Sequence, residues 1–374
     1  MPNFKNVYRL GIKEFWSLIR DPIMLFLIIY TFTVSVYTAA TAMPETLHGA
    51  PIAIVDEDRS PLSGRIVSAF FPPRFTHPEM ISINEMDSGM DEGRFTFALN
   101  IPTDFQKDVL AGKQPEIQLN VDATRMSQAF TGSGYIQQIV NSEVAEFVQG
   151  YKATEAPMVD LALRMRFNPT LERSWFGALM EIINSITMLS IILTGAALIR
   201  EREHGTIEHL LVMPVTPTEI MLSKIWSMGL VVLVSSAFSL QMIVQDALKI
   251  PIEGSIMLFL AGAALHLFAT TSLGIFMATL SRNMPQFGLL MVLVLLPLQM
   301  LSGGSTPRES MPQFVQDIML LAPTTHFVSL GQAILYRGAD FEVVWTQFLY
   351  LFIIGFVLFV FSLNRFRKML SQMS

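Results

Sequence analysis

The sequence predicts a polytopic α-helical membrane protein with six transmembrane helices and an α/β domain inserted outside the cytoplasm. Composition is the first ground: 51% of the 374 residues are hydrophobic and 15% charged. An ordinary soluble domain runs at about 25% charged. Mean hydropathy is +0.46, so lipid must be the solvent for part of the chain. The second ground is six apolar stretches near the roughly 20 residues a helix needs to span a bilayer. The third is the placement of Lys and Arg between those stretches. With no cysteine a disulfide scaffold is excluded, and a formal net charge of −6 argues against a nucleic-acid binder.

The predicted spans are Pro22–Met43, Phe176–Ile199, Ile225–Val244, Ile256–Leu280, Met284–Leu301 and Val343–Leu363. The fifth is short and carries Pro297. Ala40-Thr41-Ala42 has the look of a signal cleavage site after the first span. Glu14 and Asp21 in the preceding segment, and an apolar run longer than the usual 7–15 residues, make that span an anchor instead.

Orientation follows from the basic residues. With both termini cytoplasmic, the inner segments hold eleven Lys and Arg, and the two later outer loops hold only Lys249, Arg308 and Arg337. Residues 44–175 carry eleven more, but a long domain translocates largely regardless of charge. The net charge thereby divides into +5 inside, −7 on the inserted domain and −3 on the later outer loops, with Glu181 apart.

Residues 1–21 read as a cytoplasmic amphipathic helix lying in the headgroup layer. Phe4, Val7, Tyr8, Ile12, Phe15, Trp16 and Ile19 share its apolar stripe, and Lys5, Arg9 and Lys13 lie off it. After span 22–43, residues 44–175 form the one large water-facing unit. Strands are predicted at Pro51–Val55, Phe95–Ile101 and Ile117–Val121. Ser60-Pro61 starts a helix, Thr103 and Gln106 form a capping box for a short one stopped by Gly112, and a long helix covers about Ser127–Tyr151. Within 176–374, Ile207, Leu210 and Leu211 share a face of a short helix ended by Pro214. Thr216-Pro217-Thr218-Glu219 then restarts helix with a capping box. Phe314–Leu321 and Phe327–Tyr336, separated by Pro323, are too short to span and read as a re-entrant pair.

Chemistry is sparse. Gly112-Lys113 lacks the spacing and the Ser or Thr of a phosphate loop. Glu203-His204 and Glu208-His209 lack the second His of a zinc-protease motif and read as polar faces of the short helix. Asp56-Glu57-Asp58 lacks the Gly and bidentate Glu of a calcium loop and reads as a solvated turn. No cofactor is therefore expected on this chain, and no catalytic or metal site is assigned. Polar groups inside spans are the informative signal, because each is costly in lipid. Glu181, Asn184, His266 and Gln299 are candidates for a translocation path; interhelical hydrogen bonding is the competing reading, favoured for His266, which neighbouring Ser or Thr can satisfy.

Arg200-Glu201-Arg202-Glu203-His204-Gly205-Thr206-Ile207-Glu208-His209-Leu210-Leu211, closing on Met213-Pro214, resembles the signature of ABC-2 type transporter permeases. Leu301-Ser302-Gly303-Gly304, Met311-Pro312 and Pro323-Thr324-Thr325 resemble the same family's last outer segment. Ile101-Pro102 with Asp104-Phe105, and Phe167-Asn168-Pro169, resemble its subgroup with a large domain between the first two spans. The resemblance implies an exporter fold with a coupling helix at about 205–212. Glu201, Arg202, Glu203, Gly205, Thr206, Glu208, Leu211 and Pro214 would engage an ATP-binding subunit that carries ATP and magnesium. It also implies re-entrant helices at about 311–336, a second permease copy (the same chain or a close paralogue) and a place in the bacterial inner membrane. A periplasmic adaptor is a further possible partner.

Two other classes compete. A proton-coupled secondary transporter would use His266 and Glu181 as a relay, yet no inverted repeat of spans is visible. A membrane-anchored periplasmic adaptor, receptor or enzyme would act through 44–175, where His48 and His77 have no evident catalytic partners.

Overall fold

The computed structural model describes residues 3–41, 47, 49–122, 126–148, 173–206 and 214–372. The chain divides into two compact units: Met1–Met43 with Met165–Ser374, and Pro44–Arg164.

The regular secondary structure of the first unit's described part is helical. Helix α1 (Phe4–Ile19) starts at Asn3, whose side chain accepts from Lys5 N at 3.1 Å. Asp21 caps the next segment by accepting from Ile23 N and Met24 N at 3.1 and 3.2 Å, with Pro22 at the first helical position. That segment is α2 (Pro22–Tyr30), a π turn over Thr31–Ser35, and α3 (Val36–Thr41), together one 20-residue candidate span. The others are α8 (Arg173–Glu203), α9 (Pro217–Phe238, prolonged by π turns to Ala247), α10 (Ile256–Leu280) and α14 (Phe341–Ser371).

Among the described residues, five helices are thus long and apolar enough to cross a membrane, and the bent pair 313–336 would make a sixth if it formed one span. The expected fifth span is helix α11 (Met284–Met300), 17 residues with Pro297 near its end, and it falls short on length. Helices α12 (Gln313–Met319) and α13 (Pro323–Gly331, prolonged to Tyr336) meet at a bend of 91°. Pro323 sets that break, because its missing N–H suits only a first turn.

Helix α8 is the axis of the unit: 83% of its most apolar window is buried, against 17% for α14. Small residues and hydroxyls let α10 approach it. Ser190 Oγ donates to Thr270 Oγ1 at 2.7 Å. A Cβ on Gly274 would stand 2.8 Å from Ile191 O and 2.6 Å from Thr194 Oγ1, so backbone meets backbone there. We expect Gly274→Ala to push the two helices apart and destabilise the fold by about 1–3 kcal/mol. Gly229→Ala, whose Cβ would meet only Leu267 Cβ at 3.9 Å, should be tolerated. Thermal denaturation of the two variants in the same detergent compares them directly.

The second unit is built on a four-stranded sheet of order β2-β1-β3-β4. Strands β1 (Ile52–Asp56), β2 (Glu79–Met80) and β3 (Phe97–Ile101) are parallel, and β4 (Gln118–Val121) runs antiparallel to β3. Helices α4 (Pro61–Ser68), α5 (Ile83–Asp91), α6 (Phe105–Leu110) and α7 (Met126–Val148) complete it. Ile52, Ile54, Leu62, Phe75, Phe97 and Ile136 lie in one fully buried core.

Three expectations change here. Strand β2 and helix α5 were not anticipated; β2 is two exposed residues with no alternation to betray it. The Thr103/Gln106 box does not form. Asp104 occupies the cap position at φ +60°, and Gln106 instead reaches across to accept from Leu62 N at 3.0 Å. Nor is Asp56-Glu57-Asp58 merely a solvated turn. Asp56 accepts from Arg59 N and Ser63 Oγ at 2.9 and 2.8 Å, and Asp58 accepts from Gln106 N at 3.1 Å. These carboxylates knit α4 and α6 to the sheet. His48 and Tyr151 lie outside the described residues.

Candidate functional site

The chemistry concentrates where α8 ends. Successive helical side chains are rotated by about 100°, so four consecutive polar residues face four directions. Arg200, Glu201, Arg202 and Glu203 each find a different element. Arg200 forms an ion pair with Asp21, the cap residue of α2. Arg202 donates to Ser281 O at 2.5 Å and Ala278 O at 3.4 Å, placing a cation at the negative end of α10. Glu203 accepts from Met284 N at 3.0 Å, a carboxylate at the positive end of α11.

Glu201 is the deepest of the four. Its Oε1 lies 2.8 Å from Lys13 Nζ and its Oε2 2.7 Å from Lys224 Nζ. Lys224, only 1% exposed, also stands 3.1 Å from Glu14 Oε2, and Lys13 is 3.6 Å from Glu14 Oε1. Two ammoniums and two carboxylates thus join α1, α8 and α9, with formal charges that cancel. Burial pushes the Glu14 carboxyl above the usual carboxylate range, opposed by the Lys224 charge. A cavity of about 250 Å³ opens beside the cluster, walled by Ser17, Ala197, Arg200 and His204.

Helix α1 is clamped onto α9 as well. Glu219 accepts from Thr216 N at 2.7 Å in the expected capping box, and its other oxygen accepts from Asn3 N at 2.6 Å. Trp226 Nε1 donates to Val7 O at 3.2 Å, and its ring stacks on Tyr8 with centroids 6.0 Å apart. Any Cβ on Gly11 would collide with that indole. The packed face of α1 is therefore Leu10, Gly11, Glu14 and Leu18, while Phe4, Tyr8, Trp16 and Ile19 of the apolar stripe stay exposed.

Helix α8 stops at Gly205, whose φ of +68° closes the turn, with its N–H on Arg202 O. Thr206 Oγ1 donates back to Glu201 O at 3.0 Å. Glu208 and Leu211, together with Ile207–Met213 as a whole, lie outside the described residues; Pro214 is exposed just beyond them.

The path candidates lie on three helices, with Glu181 and Asn184 one turn apart on α8. Glu181 accepts from Ser35 Oγ at 2.6 Å, tying α8 to the π turn of the first span. His266 is fully buried on α10; its Nε2 lies 2.8 Å from Thr187 Oγ1 and its ring stacks on Phe327 at 4.1 Å. Asn184 is half-buried on α8, and Gln299 is half-buried near the end of α11, where its carbonyl accepts from Ser302 Oγ at 3.1 Å.

Sequence reasoning missed Glu14 and Lys224. Lys224 is one charge ahead of a long apolar run and Glu14 one acid beside Lys13, and only the fold reveals that the two converge on Glu201. The available signal was Glu14 itself, an acid set among the basic residues of α1.

Comparison with known proteins agrees with this architecture. Residues 15–364 match the family described as ABC-2 family transporter protein. The chain is 65% identical, over all 374 residues of both proteins, to the inner membrane transport permease YhhJ of Escherichia coli (strain K12). It is 27% identical over 347 residues, 92% of this chain and 93% of that protein, to the probable multidrug ABC transporter permease YbhR of the same strain. The probable multidrug ABC transporter permease YbhS is 28% identical over 262 residues, 68% of each. With several bilayer-length helices around α8 and a family match running through nearly its whole length, this multi-pass membrane protein belongs to the ABC-2 family of transporters.

Proposed function

We propose that the chain is the membrane-spanning permease subunit of an ATP-driven exporter in the bacterial inner membrane. It moves an amphiphilic or drug-like substrate outward, and a separate ATP-binding subunit supplies hydrolysis, holding ATP and magnesium. Six spans, with α11 as the fifth, leave both termini in the cytoplasm and residues 44–175 in the periplasm. The permease names of the relatives support the transport role, and the multidrug names of two of them, one matched over 68% of its length, support the substrate class.

One observation carries the reading: Arg200–Glu203 bolts the start of α2, the end of α10, the start of α11 and the α1–α9 pair to a single point. The segment that follows, from Gly205, is the proposed coupling helix. A push delivered there by a closing ATPase pair reaches every one of those elements through charge-assisted bonds, which are about twice as strong as neutral ones. Two copies of the chain then rock between inward and outward states. Substrate passes between them near Glu181, Asn184 and Gln299, while His266, bonded and stacked inside one copy, serves packing.

Affinity purification of the tagged chain from its own membranes tests the division of labour. An ATP-binding subunit should co-purify and be identifiable by mass spectrometry. Recovery of the chain alone, together with pH-gradient-driven transport by it in vesicles, would instead establish a secondary transporter.

A further inference from the structure

The second unit carries a cavity of about 820 Å³ between the sheet and α7. That is within the roughly 300–1,000 Å³ of small-molecule sites. Its floor is apolar: Leu99 and Phe105 at the core, with Ile117, Leu119, Val140 and Val144 left half-covered against that core. Leaving such a surface wet forfeits about 25 cal/mol for each Å² that a ligand could cover. Its rim is polar and uncharged in sum. Gln114, Gln137 and Asn141 are exposed there, and the single ionisable lining group, Lys113, is neutralised by Asp108 at 2.7 Å.

We propose that this cavity is a binding site for an uncharged amphiphile. The apolar body lies over Ile117, Leu119, Val140 and Val144, and the hydrogen-bonding head meets the amides of Gln114, Gln137 and Asn141. Charge decides the class. The one cation among the described lining residues, Lys113, is shared with Asp108, so a carboxylate or phosphate head would have to compete for it, and a cationic head would meet Lys113 itself. The inference rests on the export reading, for which the site would receive or present the transported amphiphile, but it fails or stands separately.

The test uses the full chain in lipid nanodiscs, with a diazirine-bearing alkyl glucoside as the uncharged probe and a diazirine fatty acid as the anionic one. Cross-linked residues are mapped by mass spectrometry. The glucoside should label residues of 99–119 and 133–148, and Val140→Trp, which fills the floor, should reduce that labelling by about tenfold, a loss of about 1.4 kcal/mol in affinity. Asn141→Ala, an exposed position that leaves the core untouched, should weaken glucoside labelling and spare labelling of the membrane helices. Absence of groove labelling, or equal labelling in wild type and both variants, would overturn the site. Preferential labelling by the fatty acid would overturn the uncharged head. A complex that exports its substrate without groove labelling removes this inference alone; groove labelling in a chain with no ATP-driven export removes the transport reading alone.

Discussion

Replacing Lys224 with Met should destabilise the protein by about 3–5 kcal/mol, the usual consequence of removing one partner from a buried ion cluster. The side chain is fully buried, and its ammonium stands within 3.1 Å of Glu14 and 2.7 Å of Glu201, offsetting their mutual repulsion. Lys13 would remain, but it is half-exposed and lies on the other side of the pair. Methionine restores the volume and none of the charge, so the loss is electrostatic. Neutralising a carboxylate should therefore return part of it: the Lys224→Met/Glu201→Gln double variant should be more stable than Lys224→Met alone. Acid should do the same through Glu14. Its folded pKa already lies above the unfolded value because of burial, so its ionised form weighs against the fold. Without Lys224 that shift grows. Stability of Lys224→Met should rise as pH falls through the raised Glu14 value and level off below the ordinary carboxylate range. Melting curves in detergent between pH 8 and pH 4 read this directly. A flat profile, or a variant as stable as wild type, would mean that the cluster does not hold α1, α8 and α9 together.

Phe327→Ala should cost about 3–5 kcal/mol, the range for a buried aromatic reduced to a methyl. Phe327 is fully buried on α13, with Phe259 of α10 stacked at 5.5 Å and the His266 imidazole at 4.1 Å. Neither lipid nor water can fill the void without opening the helix pair, so the cavity term persists in a bilayer. The loss should appear first as early cleavage in the bent α12–α13 segment during limited proteolysis. Phe327→Leu should retain most of the stability, since it keeps apolar volume and loses only the stacking. If His266 worked instead as a proton relay, Phe327→Ala would alter the pH dependence of transport in protein that still folds.

Much of the architecture was legible because lipid and water demand different residues. Uncharged runs such as Ile256–Leu280 and Val343–Leu363 lie within observed long helices, since a single segment satisfies its own backbone in hydrocarbon only as a helix. The Ser60 and Thr216 caps were readable because capping is local chemistry. The Thr103/Gln106 box was not, because tertiary contacts from Leu62 and Asp58 took Gln106 for another purpose. The 17-residue α11 shows the limit of counting apolar residues: the helix runs through Pro297 and ends at Met300, ahead of Ser302-Gly303-Gly304, short of full bilayer length. The site was half legible. Arg200–Glu203 stood out by motif, but a sequence of alternating charge does not say which neighbour each residue meets. Glu14 and Lys224 are separated from Glu201 by nearly 190 and by 23 positions, and only packing joins them.

The central claim is that a separate ATPase drives this permease through the segment that begins at Gly205. Gly205 holds a φ of +68°, a conformation that a β-branched residue adopts only with strain of about 1–2 kcal/mol. No described residue other than its chain neighbours lies within 4 Å of its Cβ position, so substitution acts on the exit angle of the chain. The decisive measurement is substrate-stimulated ATP hydrolysis by the purified complex carrying Gly205→Val. The account predicts a complex that still assembles and hydrolyses ATP at its basal rate, with stimulation reduced by about tenfold, equivalent to about 1.4 kcal/mol of lost coupling. Stimulation equal to wild type in an assembled complex would contradict it.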